Sequence, residues 1–174
     1  MSADQARGPG EGLAPSFEPE GGFLIPETMR SLFRYESLVD EITRINKTTG
    51  PYYMQEFLKA INAASSFYTK TLWQYEEAIV NSRATRARIM IDLAPAALLA
   101  KSLRTNEENL KAYAECHEDY LQAKEQESYL QALTELLKHK VYKFERAHDD
   151  ARKIFEALRE PFGQSGVLPS GRDT

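Results

Sequence analysis

The residue types that could do covalent or acid–base chemistry are few in this chain, and their spacing is poor for it. There are three histidines, His117, His139 and His148, and one cysteine, Cys116. Cys116 and His117 are adjacent, so on a helix their side chains point about 100° apart and cannot form a nucleophile–base pair. Glu145-x-x-His148 has the spacing with which di-iron bundles present two ligands from one helix. Such a site needs a second copy of the motif and further carboxylates, and the sequence has no second copy. The pair therefore reads as an acid and an imidazole on a solvated helix face. The glycines fall in residues 1–22, in residues 161–174 or at Gly50, which leaves no glycine-rich phosphate loop. The expectation is a protein without catalytic activity, metal or cofactor.

Charge placement is more informative. Arg83, Arg86, Arg88, Lys101 and Arg104 cluster in a stretch where Asp92 is the only acid. Residues 105–135 are then acidic, with Glu107, Glu108, Glu115, Glu118, Asp119, Glu125, Glu127 and Glu135 against Lys111 and Lys124. From Lys138 the balance turns basic again through Lys140, Lys143, Arg146, Arg152 and Lys153. A charge run is most simply a solvated helix face. The chemical alternative is a phosphate-binding patch, which copies of the chain in a ring would multiply. An aromatic beside such a patch favours single strands through base stacking, and Tyr75 is the nearest candidate.

These residues are positioned by helices. From Thr105 to Glu160 there is no Pro and no Gly, and strong helix formers dominate. Leu130, Leu133, Leu137, Val141, Phe144, Ala147, Ala151, Phe155 and Leu158 step almost entirely by three or four, which places them on one stripe. Thr105 and Glu108 have capping-box spacing, so a helix starts there, and the polar stretch Glu115 to Asp119 predicts a bend before the helix continues from about Glu118. A second long helix is predicted from Pro51 to about Leu93. Its seam is Met54, Phe57 or Leu58, Ile61, Ala64, Tyr68, Leu72, Tyr75 and Ile79. The aromatics Tyr52, Tyr53, Tyr68, Trp73 and Tyr75 read as packing residues. Pro95 kinks or ends this helix. A shorter helix runs from the Pro26-Glu27-Thr28 start to about Asn46 and is closed by Thr48, Thr49, Gly50 and Pro51.

The expected architecture is all-α. It is an elongated antiparallel helical hairpin of coiled-coil type that turns at Pro95 to Arg104 and carries a short N-terminal helix. A hairpin this long leaves apolar surface over, so a homo-oligomer is expected, held by Leu130, Leu133, Leu137, Val141 and Phe144. Residues 1–22 read as a disordered Gly/Pro-rich leader, 23–160 as the helical domain and 161–174 as a flexible tail. With 42% hydrophobic and 28% charged residues the composition is that of an ordinary soluble protein. No apolar run is long enough for a membrane span. Residues 1–22 lack the order of a secretory signal, and one cysteine fits a reducing compartment. A cytoplasmic protein is the expectation.

Three features of the sequence stand out together. The first is Ala63-Ala64-Ser65-Ser66 followed by Tyr68, Lys70 and Leu72. The second is the basic run Arg86-Ala87-Arg88-Ile89 ahead of a break. The third is Thr105, a following acidic helix, and a tract from Leu121 to Phe155 ending in basic residues. Together they resemble phage UvsY-type recombination mediators over roughly residues 55 to 158, in spacing and residue class, which would place a phage-encoded protein in the host cell's cytoplasm. The resemblance implies a non-catalytic mediator that binds single-stranded DNA coated by its binding protein, helps load a RecA-type recombinase, and works as a cyclic homo-oligomer. DNA contact carries over to Arg86 and Arg88; Arg83, Lys101 and Arg104 extend it by charge clustering. The alternative is a coiled-coil scaffold or adaptor of phage assembly without nucleic-acid binding. The two differ in whether Arg83, Arg86 and Arg88 face solvent on a common surface or pair with acids such as Glu107 and Glu108.

Overall fold

A computed structural model describes Ser16–Phe17 and residues 25–159. Most of the expected leader and the whole C-terminal tail lie outside those residues. Within the leader, strand β1 (Ser16–Phe17) pairs antiparallel with β2 (Ile25–Pro26). The rest of the described chain is helical: α1 (Arg30–Asp40), α2 (Gly50–Arg88), α3 (Ala94–Ala100), α4 (Glu107–Glu115) and α5 (Glu118–Arg159). The fold is all-α, as the periodicity predicts.

The frame is the pair α2 and α5. Gly50 meets Phe155 at one end, Ser82 meets Glu127 midway, and Arg88 meets Asp119 towards the other, so the helices run antiparallel. The 42 residues of α5 make a rod about 63 Å long, which a single helix in water cannot sustain without a partner. Its buried residues are Ala123, Leu130, Leu133, Thr134, Leu137, Phe144, Ala147 and Ala151. Most of these belong to the predicted stripe.

The destination of that stripe differs from expectation. Leu133, Leu137 and Phe144 form one core with Ile25, Met29, Leu32 and Tyr35 from the N-terminal segment and Ala60 and Ala64 from α2. Leu130 is equally buried, and Val141 packs against the same cluster from its edge. The five residues expected to hold subunits together are occupied inside one chain. The reason is α1, which covers the groove between α2 and α5 and supplies the third wall. A second cluster of Ile45, Tyr53, Phe57, Ala147 and Ala151 continues the core towards the start of α2.

On α2 the buried face is Gly50, Tyr53, Phe57, Ala60, Ala64, Thr71, Ala78 and Ser82. Phe57 and Ala64 lie where the predicted seam has them, whereas Ala60, Thr71 and Ala78 each stand one position before the expected Ile61, Leu72 and Ile79, a rotation of about 100°. Ile61, Tyr68, Leu72, Tyr75 and Ile79 flank the contact half-buried. The contact line itself is built from small residues, which lets the two long helices approach closely while the larger side chains close over the edges.

Pro95 neither ends the helix nor breaks it sharply. Residues Ile89–Leu93 widen into a π-turn in which Ala94 N–H donates to Ile89 O, and α3 resumes with Pro95 in its first turn. The wide turn accommodates a residue that has no N–H and whose ring crowds the preceding turn. The reversal is therefore confined to residues 101–106. There Ser102 takes a left-handed backbone (φ 56°) while Ser102 N–H bonds Leu99 O and Leu103 N–H bonds Leu98 O, the double closure of a Schellman end. The N-cap of α4 is Asn106, whose side chain accepts from Asn109 N–H at 2.9 Å, and not Thr105. The bend at residues 116–117 is where the sequence places it, and His117 Nδ1 accepts from Asp119 N–H to close the first turn of α5.

Candidate nucleic-acid interface

The five cations expected to contact phosphate do not form one patch. Arg83 and Arg86 lie one turn apart on α2 and line a cleft of about 330 Å³ between α2 and α5. Tyr75, Ile79 and Ser82 complete the α2 wall, and Tyr120, Lys124 and Glu127 the α5 wall. Arg88 lies further along α2 and is ion-paired with Asp119 at 3.0 Å. Lys101 and Arg104 are exposed in the reversal and are not among the residues lining the cleft.

The acids facing these arginines are a turn or more away from the ones the sequence suggests. Arg86 pairs with Glu115, and Arg88 with Asp119, in place of Glu107 or Glu108. Glu107 pairs with Lys111 on its own helix. The cause is the antiparallel register, which sets the last turns of α2 beside the end of α4 and the start of α5. Arg86 is two-thirds buried by these contacts, yet its Nε–H has no hydrogen-bond acceptor among the described residues. Arg83 is exposed at the rim without an ion-pair partner among them.

Inside the cleft Lys124 donates to Glu127 at 2.6 Å, and the Ser82 hydroxyl donates to the same carboxylate. The hydrogen bonds from Lys124 and then Ser82 hold Glu127 below the ordinary carboxylate range. The hydrogen bond to Glu127 raises Lys124 above the ordinary amine range. Both are thus charged at neutral pH. The local set is three cations, Arg83, Arg86 and Lys124, against Glu127 and the Glu115 that holds Arg86. One positive charge is unmatched, and two tyrosines flank it. At about 330 Å³ the cleft lies at the small end of the range of ligand sites, which begins near ~300 Å³.

Tyr120 and Lys124 belong to the site but stand apart from the basic cluster in sequence, inside the acidic block. Only the pairing of α2 with α5 brings them to Tyr75. Trp73, expected to pack, is 72% exposed on the opposite face of α2. Among the described residues, no group of three or more His, Cys, Asp or Glu side chains is arranged to hold a metal ion, and no helix is long and apolar enough to cross a membrane. No family model, curated protein or solved structure matches the chain.

Proposed function

We propose that this protein binds single-stranded DNA and acts as a non-catalytic recombination mediator of the UvsY type, helping a RecA-type recombinase load onto strands coated by their binding protein. The observation that carries the DNA-binding part is the cleft itself. Two of the arginines that the resemblance and the charge pattern single out share a wall with Tyr75, opposite Tyr120 and Lys124. An exposed guanidinium, a half-buried guanidinium with a spare donor, and two phenol rings form a set that meets a phosphate and a base together. Duplex DNA keeps its bases stacked inside, so this arrangement favours single strands.

Fluorescence anisotropy of a labelled single-stranded oligonucleotide, titrated at low and high salt, tests the reading. Binding that falls steeply with salt and exceeds duplex binding is the expected result; no binding at low salt would refute it. The recombinase-loading part rests on the resemblance alone, and a strand-exchange assay with a coated strand tests it separately.

One observation favours the second reading, a coiled-coil scaffold or adaptor without nucleic-acid binding. Arg86 and Arg88 are already engaged by Glu115 and Asp119. In that reading the arginines staple the end of the hairpin, and the protein's working surfaces are its exposed helix faces.

A further inference from the structure

The outer face of α2 carries a second heptad seam, distinct from the one that meets α5. Trp73, Glu77, Val80, Ala84 and Ala87 follow one another in steps of four and three, and Ile91 follows just beyond the helix in the π-turn. All are exposed, with Trp73 at 72%, Val80 at 66% and Ile91 at 73%. They lie half a turn round the helix from Thr71, Ala78 and Ser82, which face α5. Nothing else in the described chain covers this stripe. A seam of this period is the pattern with which one helix packs along another.

The charges beside the seam identify the partner. Glu76 lies beside its start and Arg83 seven residues on along the same flank, and neither has an ion-pair partner within bonding distance among the described residues, Arg83 acting on Glu127 only through space. A face that is acidic then basic along one helix complements itself when a copy runs antiparallel. A parallel copy would set like charges side by side. An antiparallel pairing with its two-fold axis beside Val80 sets Val80 against itself, Trp73 over the small Ala84 and Ala87 of the other copy, and Glu76 beside its Arg83. Large-on-small packing and charge matching agree on the same register.

We infer that the outer face of α2 binds a second copy of this chain as an antiparallel, two-fold symmetric helix pair centred on Val80. This interface replaces the α5 stripe as the surface of self-association; it shares Arg83 with the rim of the cleft, so its test is made without DNA. It is isologous, so it closes at a dimer. A single helix pair lies at the small end of stable interfaces, which makes the dimer concentration-dependent.

Trp73 is the only tryptophan in the chain, so its emission reports on the seam directly. The test is sedimentation of the full chain across the micromolar range, with tryptophan emission recorded at each concentration. The expected result is a monomer–dimer equilibrium whose dimer shifts the emission to the blue and which weakens as salt rises. Val80→Lys places a charge on the two-fold axis and weakens association by about tenfold or more. Since Val80 is exposed in the monomer, circular dichroism should show unchanged helicity. Glu76→Arg and Arg83→Glu each weaken the dimer, and the double variant recovers it. A chain that stays monomeric throughout, or an oligomer indifferent to Val80→Lys, would overturn the inference. So would single charge reversals that weaken the dimer while the double variant does not recover it.

Discussion

If Arg86 and Arg88 contact DNA, they must leave Glu115 and Asp119 to do so, and these carboxylates then act as competitors of phosphate. Replacing them with neutral isosteres, Glu115→Gln with Asp119→Asn, should strengthen DNA binding. The size of the effect follows from exposure. Arg86 is 33% and Arg88 59% exposed, and their acids are about half exposed, so both belong with surface ion pairs, each worth about 0.2–1 kcal/mol. Two such pairs amount to roughly 0.4–2 kcal/mol, and relief of that competition tightens binding by about 2- to 30-fold. The same sum bounds the loss of stability, so the double variant should remain folded. The reciprocal change, Arg86→Ala with Arg88→Ala, should lower the slope of log affinity against log salt by about 1.4, at about 0.7 per phosphate contact on a single strand. Anisotropy titrations at several salt concentrations measure both effects, with circular dichroism as the check on folding. Unchanged or weaker binding by the folded Glu115→Gln/Asp119→Asn variant would refute the reasoning and leave the arginines as structural staples.

Three further predictions concern the frame. Leu137 is 2% exposed in the core shared by α1, α2 and α5; Leu137→Ala should cost about 2–5 kcal/mol. Leu137→Asp should unfold the chain rather than release folded subunits, which helicity and mass in light scattering distinguish. A Cβ at Gly50 would meet the Phe155 ring, with Cγ and Cε2 at 2.8 and 2.9 Å. Gly50→Ala should therefore destabilise by about 1–2 kcal/mol in thermal melts, and adding Phe155→Leu should recover most of it. Burial alone would raise the Glu36 carboxyl, but hydrogen bonding and charge from Lys140, then Lys143, outweigh it and hold the group below its ordinary value. A depressed folded pKa gives stability that is complete above the unfolded value of about 4.3 and lost as pH falls through the folded one. Glu36→Gln should thus lower stability by about 1–2 kcal/mol at neutral pH. The gap to the parent should shrink in melts run well below pH ~4, and a constant gap would refute the assignment.

The helices were legible because their signals are local. A 3.6-residue period, the absence of Pro and Gly, and the polar break at residues 115–119 each act within a few turns, and α4 and α5 begin and end close to where those signals place them. The seam of α2 was misread because large apolar side chains were taken as its centre. Ile61, Leu72 and Ile79 are large, but Ala60, Thr71, Ala78 and Ser82, together with the expected Ala64, are the residues that let α5 come close. The fate of the α5 stripe was misread for a related reason. A stripe in a sequence says that something covers it, and says nothing of whether that is α1 of the same chain or a neighbour. The apolar residues left over on the outside, Trp73, Val80 and Ile91, mark where coverage by the described residues stops.

The candidate site was legible only by half, and its missing half depends on long-range register. Arg83, Arg86 and Tyr75 lie within twelve residues of one helix, so their proximity follows from helical geometry alone. Lys124 and Tyr120 come from a helix that begins after the reversal, and the acids that engage Arg86 and Arg88 are 29 and 31 residues away in sequence. A shift of α5 against α2 by a single turn would pair different acids with the arginines and different tyrosines with the cleft. The reversal at residues 101–106 and the close-packed small residues of the α2–α5 contact set that register. The electrostatics of the site are therefore a property of the hairpin as a whole. Substitutions in the reversal, far from any phosphate, should alter which anion the arginines meet as surely as changes to Glu115 or Asp119 themselves.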